Sequence, residues 1–263
     1  EDSGEAARPL PAPHQGSHVR GARSAVDIYA HIGPRVMQPA TERARPLVYV
    51  PNSEANTVDV IDPRTYRVIS SFPVGALPQH VTPSHDLRTL YVDNDAGNSL
   101  TPIDPRTGRP GHSIPVEDPY NLYFTPNGRY AIVVAERLQR LDFRNPHTFR
   151  LVKRVRVPCA GVNHMDFSPT GAYAVVSCEF SGQLLKLDLR RLRVTAVRHL
   201  PRRYSVPQDV RSAPDGRVFL QGYLFDYTED PRAERRRMID LSANRADGPA
   251  DAKVTVVEYA DME

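Results

Sequence analysis

Several absences narrow the reading of this 263-residue chain before any motif is sought. No uninterrupted apolar run approaches the roughly 18–20 residues that cross a bilayer as a helix, so no membrane span is expected. Cysteine is scarce: Cys159 and Cys178 are the only two, in neither CxxC nor CxxCH spacing, which removes haem attachment and a zinc knuckle. Two readings of the pair stay open, one disulfide in an exported protein or two inert buried thiols. Lysine is nearly missing, with Lys153, Lys186 and Lys253 alone among 34 basic residues, and the formal charge of +3 is too small to argue for nucleic acid. No Ser-His-Asp order with nucleophile-elbow glycines, phosphate-binding glycine loop or HExxH pattern occurs, so no familiar motif assigns chemistry. Helix signals are nearly absent, and residues 232–237, rich in Arg, read as a solvated loop.

What is present is a repeat of roughly 40–45 residues, the period of a propeller blade. Its first piece recurs as Leu77-Pro78-Gln79-His80-Val81, Pro119-Tyr120-Asn121-Leu122-Tyr123, Val162-Asn163-His164-Met165-Asp166 and Val206-Pro207-Gln208-Asp209-Val210. A turn follows, Pro126-Asn127-Gly128, Pro169-Thr170-Gly171 or Pro214-Asp215-Gly216, whose Asx-Gly chemistry suits a tight hairpin. Next comes a β-rich strand such as Tyr130-Ala131-Ile132-Val133-Val134. A third strand ends in Asp, as in Val58-Asp59-Val60-Ile61-Asp62, and Asp-Pro-Arg-Thr turns at Asp62 and Asp104 lead to a fourth. Four short strands joined by turns and repeated make an all-β protein, a β-propeller of four-stranded blades. About five units are recognisable, one of them partial and the last degraded, so the ring is expected to be small or incomplete.

Val48-Tyr49-Val50-Pro51-Asn52, followed by Thr57-Val58-Asp59-Val60-Ile61-Asp62, resembles the YVTN-type β-propeller repeat family. That resemblance implies an exported bacterial or surface-layer-like protein. It constrains function little, since related propellers serve as binding platforms, lactonases and haem-carrying domains.

The chain divides into three stretches. Residues 1–24 are rich in Pro, Gly and Ala without an apolar h-region and are expected to be disordered, as after removal of an export signal, so an extracellular or periplasmic location is the expectation. Residues 25–244 are assigned to the propeller, with 25–31 as a strand that supplements the first or last blade and 238–241 as a third strand of the fifth unit. Residues 245–263 read as a tail or closing strand. They also resemble the opening strand of a DsbA-like thioredoxin domain, in which case the natural chain continues.

In a blade whose strands run outward from the axis, loops leading into the innermost strand and loops between the second and third strands open on one face. Two sets of side chains therefore converge at the channel mouth. The inner-strand set is Gln79/His80, Tyr120/Asn121, Asn163/His164 and Gln208/Asp209; the loop set is Asn52/Glu54, Asn94/Asp95, Glu136/Arg137 and Cys178/Glu179. The expected ligand-binding residues are His80, Asn121, His164, Asp209, Glu54, Asp95, Glu136 and Glu179.

Histidines and carboxylates suit a divalent metal, for which His80 and His164 are the ligands of choice, helped by Asp209, Glu136 or Glu179. Such a metal would activate water in a lactonase-type hydrolase. His164 with Cys159 and Cys178 would suit copper or zinc, unless a disulfide removes both thiolates. Against these stands a plainer duty, hydrogen bonding between neighbouring blades. The favoured reading is a binding or scaffold module for a protein or small-molecule ligand, with catalysis as the lesser alternative. Arg150, Lys153, Arg154 and Arg156, with Arg190, Arg191 and Arg193, form a basic flank that suits a phosphate backbone or, more simply, a charged edge that resists strand pairing.

Overall fold

The computed structural model describes residues 38–200, 206–212 and 218–222. Within them a single 3-10 turn, Thr41–Arg43, is the only helix, and all other regular structure is antiparallel strand. Blade 1 comprises β1 (Val48–Asn52), β2 (Thr57–Asp62) and β3 (Arg67–Pro73). Blade 2 comprises β4 (Pro78–Pro83), β5 (Leu90–Asn94), β6 (Ser99–Asp104) and an outer strand split into β7 (Arg109–Pro110) and β8 (Ile114–Pro115), both paired with β6. Blade 3 is β9 (Asn121–Phe124), β10 (Ala131–Ala135), β11 (Arg140–Arg144) and β12 (Leu151–Arg156). Blade 4 is β13 (Val162–Phe167), β14 (Tyr173–Cys178), β15 (Gln183–Asp188) and β16 (Arg193–His199), and blade 5 contributes β17 (Pro207–Ser212) and β18 (Val218–Gly222). Strands follow chain order from the axis outward in every sheet, which is the layout of a propeller blade. Among the described residues the ring is not closed. The strands expected at 25–31 and 238–241, and the segments 1–24 and 245–263, lie outside the described residues.

Blades 2, 3 and 4 stack on a middle strand of blade 3 that is apolar on both faces. All five residues of β10, Ala-Ile-Val-Val-Ala, are buried. Ala131 and Val133 pack with Tyr91, Leu100 and Phe149 towards blade 2. Ile132 and Val134 pack with Phe143, Met165 and Leu185 towards blade 4. Adjacent residues thus serve opposite interfaces, as the two-residue period of a strand requires. Removing one such aliphatic side chain from water stabilises by about 1.5–3 kcal/mol. The outer strands differ: β3 is exposed at nearly every position, and so is β16.

The repeat extends to backbone detail. After the third strand, Asp62, Asp104 and Asp188 each accept the amide of the residue two positions on through Oδ1, at 2.9 Å. The residue that then re-enters the fourth strand is left-handed in all three blades: Tyr66 (φ 55°), Gly108 (φ 73°) and Leu192 (φ 49°). Between second and third strands the same conformation recurs at Asn56, Asn98, Gln139 and Gly182, and before the inner strand at Leu77, Asp118 and Gly161.

Two bulges recur as well. The inner strands slip register after Pro78, Val162 and Pro207. The outer pairs slip between Val60 and Ile61, Phe143 and Arg144, and Lys186 and Leu187. The extra outer residues are Ile69, Val152 and Thr195.

Cys159 and Cys178, separated by 19 positions, are joined in a disulfide that ties the loop before β13 to the end of β14. The corresponding place in blade 2 is filled by Gly75 against Asn94, where a Cβ on Gly75 would stand 2.7 Å from Asn94 Cβ and 2.8 Å from Ser99 Oγ.

Two substitutions test this geometry. Tyr66 is 87% exposed and left-handed where the next blade has glycine. Tyr66→Gly is therefore expected to raise the unfolding free energy by about 0.5–1 kcal/mol, since relief of the left-handed strain exceeds the entropy glycine adds to the unfolded chain. Gly75→Ala should lower it by about 1–3 kcal/mol through overpacking. Denaturant titration reads both, and opposite signs would refute the assignment of these turns.

Candidate functional site

The inner-strand bulges set the direction of the site. Two residues, Gln79 and His80, face one partner position on β5, and Asn163 and His164 do the same against β14. In blade 3 the Tyr120 amide donates to the Val134 carbonyl at 3.0 Å while Asn121 pairs with the same Val134. A bulge turns side chains that would alternate towards a common side, and it does so here in successive blades.

The result is a packed cluster of imidazole, phenol and amide groups. The His80 and His164 rings meet edge to face with centroids 5.5 Å apart, and Tyr120 lies 5.4 Å from His80 and 6.1 Å from His164. Asn121 Nδ2 donates to Tyr123 Oη at 3.1 Å, and both atoms lie 3.4 Å from His164 Nδ1. Burial, then the neighbouring His80 and Arg211, pushes the His164 imidazole down to about 3, so it is neutral at ordinary pH.

Much of this set ties one blade to the next. His80 Nδ1 lies 2.9 Å from the Tyr120 carbonyl, the Met165 amide donates to Tyr123 Oη at 3.2 Å, and Ser177 Oγ donates to the Gln208 carbonyl at 2.9 Å. Asp209 accepts the Val210 amide and pairs with Arg211, both at 2.7 Å.

The loop set forms an acidic layer. Asp95, Glu136 and Glu179 occupy equivalent positions, each following the last residue of its blade's second strand, β5, β10 or β14. Burial, then the charges of Asp95, Glu179 and Asp118, pushes the Glu136 carboxyl up to about 7 despite the adjacent Arg137. Glu179 is raised by burial, and a 2.6 Å bond from Asn163 Nδ2 opposes the shift. Asp95 is raised by burial and by a hydrogen bond shared with the Asp118 carboxyl.

Arg137 binds this layer together. Its Nε donates to Asp118 Oδ1 at 2.8 Å, and its second nitrogen reaches the Asp95 carbonyl at 2.8 Å and Asp95 Oδ1 at 3.2 Å. The Leu138 amide adds a bond to Asp118 Oδ2 at 2.9 Å. One guanidinium thereby joins blade 2, the loop that follows it and blade 3. The attraction does not overcome burial and the carboxyl pair at Asp95, whose proton is held more tightly than usual.

Of the residues read from the sequence, His80, Asn121 and His164 come together in the inner cluster, and Asp95, Glu136 and Glu179 in the acidic layer. Glu54 is exposed; the position equivalent to Asp95 is Ser53, whose Oγ donates to the Pro78 carbonyl at 2.8 Å. Among the described residues no group of three or more His, Cys, Asp or Glu side chains is arranged to hold a metal ion. The disulfide leaves Cys159 and Cys178 no thiolates to join His164 in a copper or zinc site. Asp118 escaped the sequence reading, in which Tyr123 is a member of the repeat and not a site residue. The signal for Asp118 was its place two residues before Tyr120, matching Leu77 and Gly161 as the left-handed residue of the loop.

A family model described as YNCE-like beta-propeller matches residues 29–229. Among solved structures, the hydrazine synthase of Kuenenia stuttgartiensis is similar with a TM-score of 0.58 and 21% identity, over 70% of this chain and 56% of that one. A functionally unknown protein from Desulfotomaculum acetoxidans is similar with a TM-score of 0.54 and 13% identity, over 66% of this chain and 58% of that one. The chain thus spans little more than half the length of either, and at these identities the likeness shows the fold alone. No curated protein matches.

The acidic layer makes stability depend on pH with a definite sign. Glu136 has an ordinary value of 4.5 and is raised to about 7 in the fold, so between these values the folded state holds the extra proton and stability falls as pH rises. Glu136→Gln removes that loss. The variant should gain stability relative to the parent between about pH 5 and about pH 8. His164, lowered from 6.5 to about 3, acts in the other direction, and its contribution is lost as pH falls below 6.5. Chemical denaturation at the two pH values measures the difference; parallel pH profiles would contradict the account.

Proposed function

The chain belongs to the YNCE-like β-propeller family, and on that footing we propose that it is an exported binding or scaffold module whose ligand or partner seats on the channel mouth. The observation that carries the reading is the convergence of Asp95, Glu136 and Glu179 at equivalent positions in three successive blades. There Asp95 and Glu136 act on one another with Asp118, and Arg137 is the cation hydrogen-bonded to Asp95 and Asp118. Buried carboxyls that repel one another are stabilised by any cationic or hydrogen-bond-donating group brought among them. The same loops present Phe180, 72% exposed, and Leu138, 41% exposed, and an aromatic anchor beside desolvated charge is a common centre of a protein interface.

The inner cluster supports the mouth rather than competing with it, since its polar atoms are largely engaged in bonds between blades. The ligand chemistry favoured is therefore a cationic group: an amine, a guanidinium, or a Lys- or Arg-bearing segment of another protein. A lactonase-type hydrolase gains no comparable support at this face, for want of a ligand trio among the described residues, and the nucleic-acid alternative rests on the Arg-rich flank rather than on this face.

Thermal-shift and calorimetric titration with a panel of cationic and anionic small molecules and with Lys/Arg-rich and Asp/Glu-rich peptides tests the proposal. Cationic members should bind, and Glu136→Gln with Glu179→Gln should weaken them by about tenfold or more, the scale of a lost charge-assisted hydrogen bond. Preference for the anionic members, or affinity that ignores both substitutions, would overturn it.

A further inference from the structure

The outer corner of blades 3 and 4, on the side away from the mouth, carries the opposite charge. Arg150 and Lys153 come from the start of β12, and Arg190, Arg191 and Arg193 from the turn into β16; all are exposed. Lys153 Nζ donates to the Arg191 carbonyl at 3.2 Å, so the two blades present one continuous surface. Asp188 is the acidic neighbour in this turn, and it is engaged by Arg191 at 3.0 Å. Among the described residues Arg150, Arg190 and Arg193 form no ion pair.

Aliphatic side chains stand among these cations. The bulge that breaks the register of β11 and β12 makes Val152 the extra residue, 55% exposed, beside Leu151 at 40%. Protection of a strand edge does not account for the combination. β3 is an outer strand with the same bulge, with exposed Val68 and Ile69, and it carries a single charged residue, Arg67.

We propose that this corner is a peripheral docking surface for an anionic lipid bilayer, with Arg150, Lys153, Arg190 and Arg193 among the headgroup phosphates and Leu151 and Val152 at the boundary with the acyl chains. Charge complementarity supplies the attraction to a negatively charged leaflet. The exposed aliphatics decide between polyanions, because they gain free energy at a headgroup boundary and gain none beside a hydrated phosphate backbone. The surface is independent of the mouth and of the ligand proposed for it.

Co-sedimentation with phosphatidylglycerol-containing vesicles and with pure phosphatidylcholine vesicles, at low and near-physiological salt, tests this. The protein should pellet with the anionic vesicles alone. Arg150→Ala and Arg193→Ala should each lower partitioning roughly fivefold, Val152→Ser should reduce the fraction retained at the higher salt, and Arg67→Ala on β3 should change nothing. All four substitutions are at exposed positions, and unchanged circular dichroism and thermal midpoint confirm intact variants. Equal pelleting with both vesicle types, no pelleting with either, or indifference to the arginine substitutions overturns the proposal. So does retention on duplex DNA at a salt concentration at which the anionic vesicles release the protein.

Discussion

The structure depends on one constraint: the middle strand β10 of blade 3 is apolar on both faces and has to be covered twice. Ile132 and Val134 need blade 4, whereas Ala131 and Val133 need blade 2. No blade satisfies this alone, so the stable unit is the stack, and stability is divided among interfaces. Position follows from the same requirement. Once faces are matched, every inner strand lies beside the next, and whatever its first residues carry is brought to the axis. The site is therefore a consequence of the packing rather than an addition to it.

Within that frame the chemistry is sorted by depth. Side chains on the inner strands, His80, Tyr123 and His164, are engaged in bonds that cross from blade to blade, and burial keeps His164 uncharged. The carboxyls of Asp95, Glu136 and Glu179 stand one layer out, on the loops after the second strands, where Arg137 links Asp95 to Asp118. A polar lining that holds the stack and an ionisable rim thus occupy successive depths, joined where Asn163 donates to Glu179, and both repeat with the same period.

Strand order and turns were legible in the sequence because each rests on short-range chemistry: Asx-Gly hairpins, Asp-Pro-Arg-Thr turns and alternating apolar residues. The bulges were not, since a bulge is defined by what lies across the ladder. Asp118 was missed for a related reason: its role follows from a left-handed backbone that Leu77 and Gly161 share without sharing its chemistry. Glu54 was paired with Asp95 on spacing, and a single residue of offset hands the ring position to Ser53 and leaves Glu54 in solvent. The cysteines stayed ambiguous because a separation of 19 becomes informative only once the repeat is seen to bring Gly75 against Asn94 in the blade before.

The same covalent link shapes how the molecule would respond to tension. Because Cys159 lies in the connection leading out of blade 3 and Cys178 ends the second strand of blade 4, the bond fastens that connection to blade 4 without reaching any strand of blade 3. A chain pulled from its ends would come apart blade by blade, and blade 4 would release less length than the others. Its 19-position loop stays closed, withholding roughly 60 Å of extension. A reducing environment would restore that length without changing the order in which the blades give way.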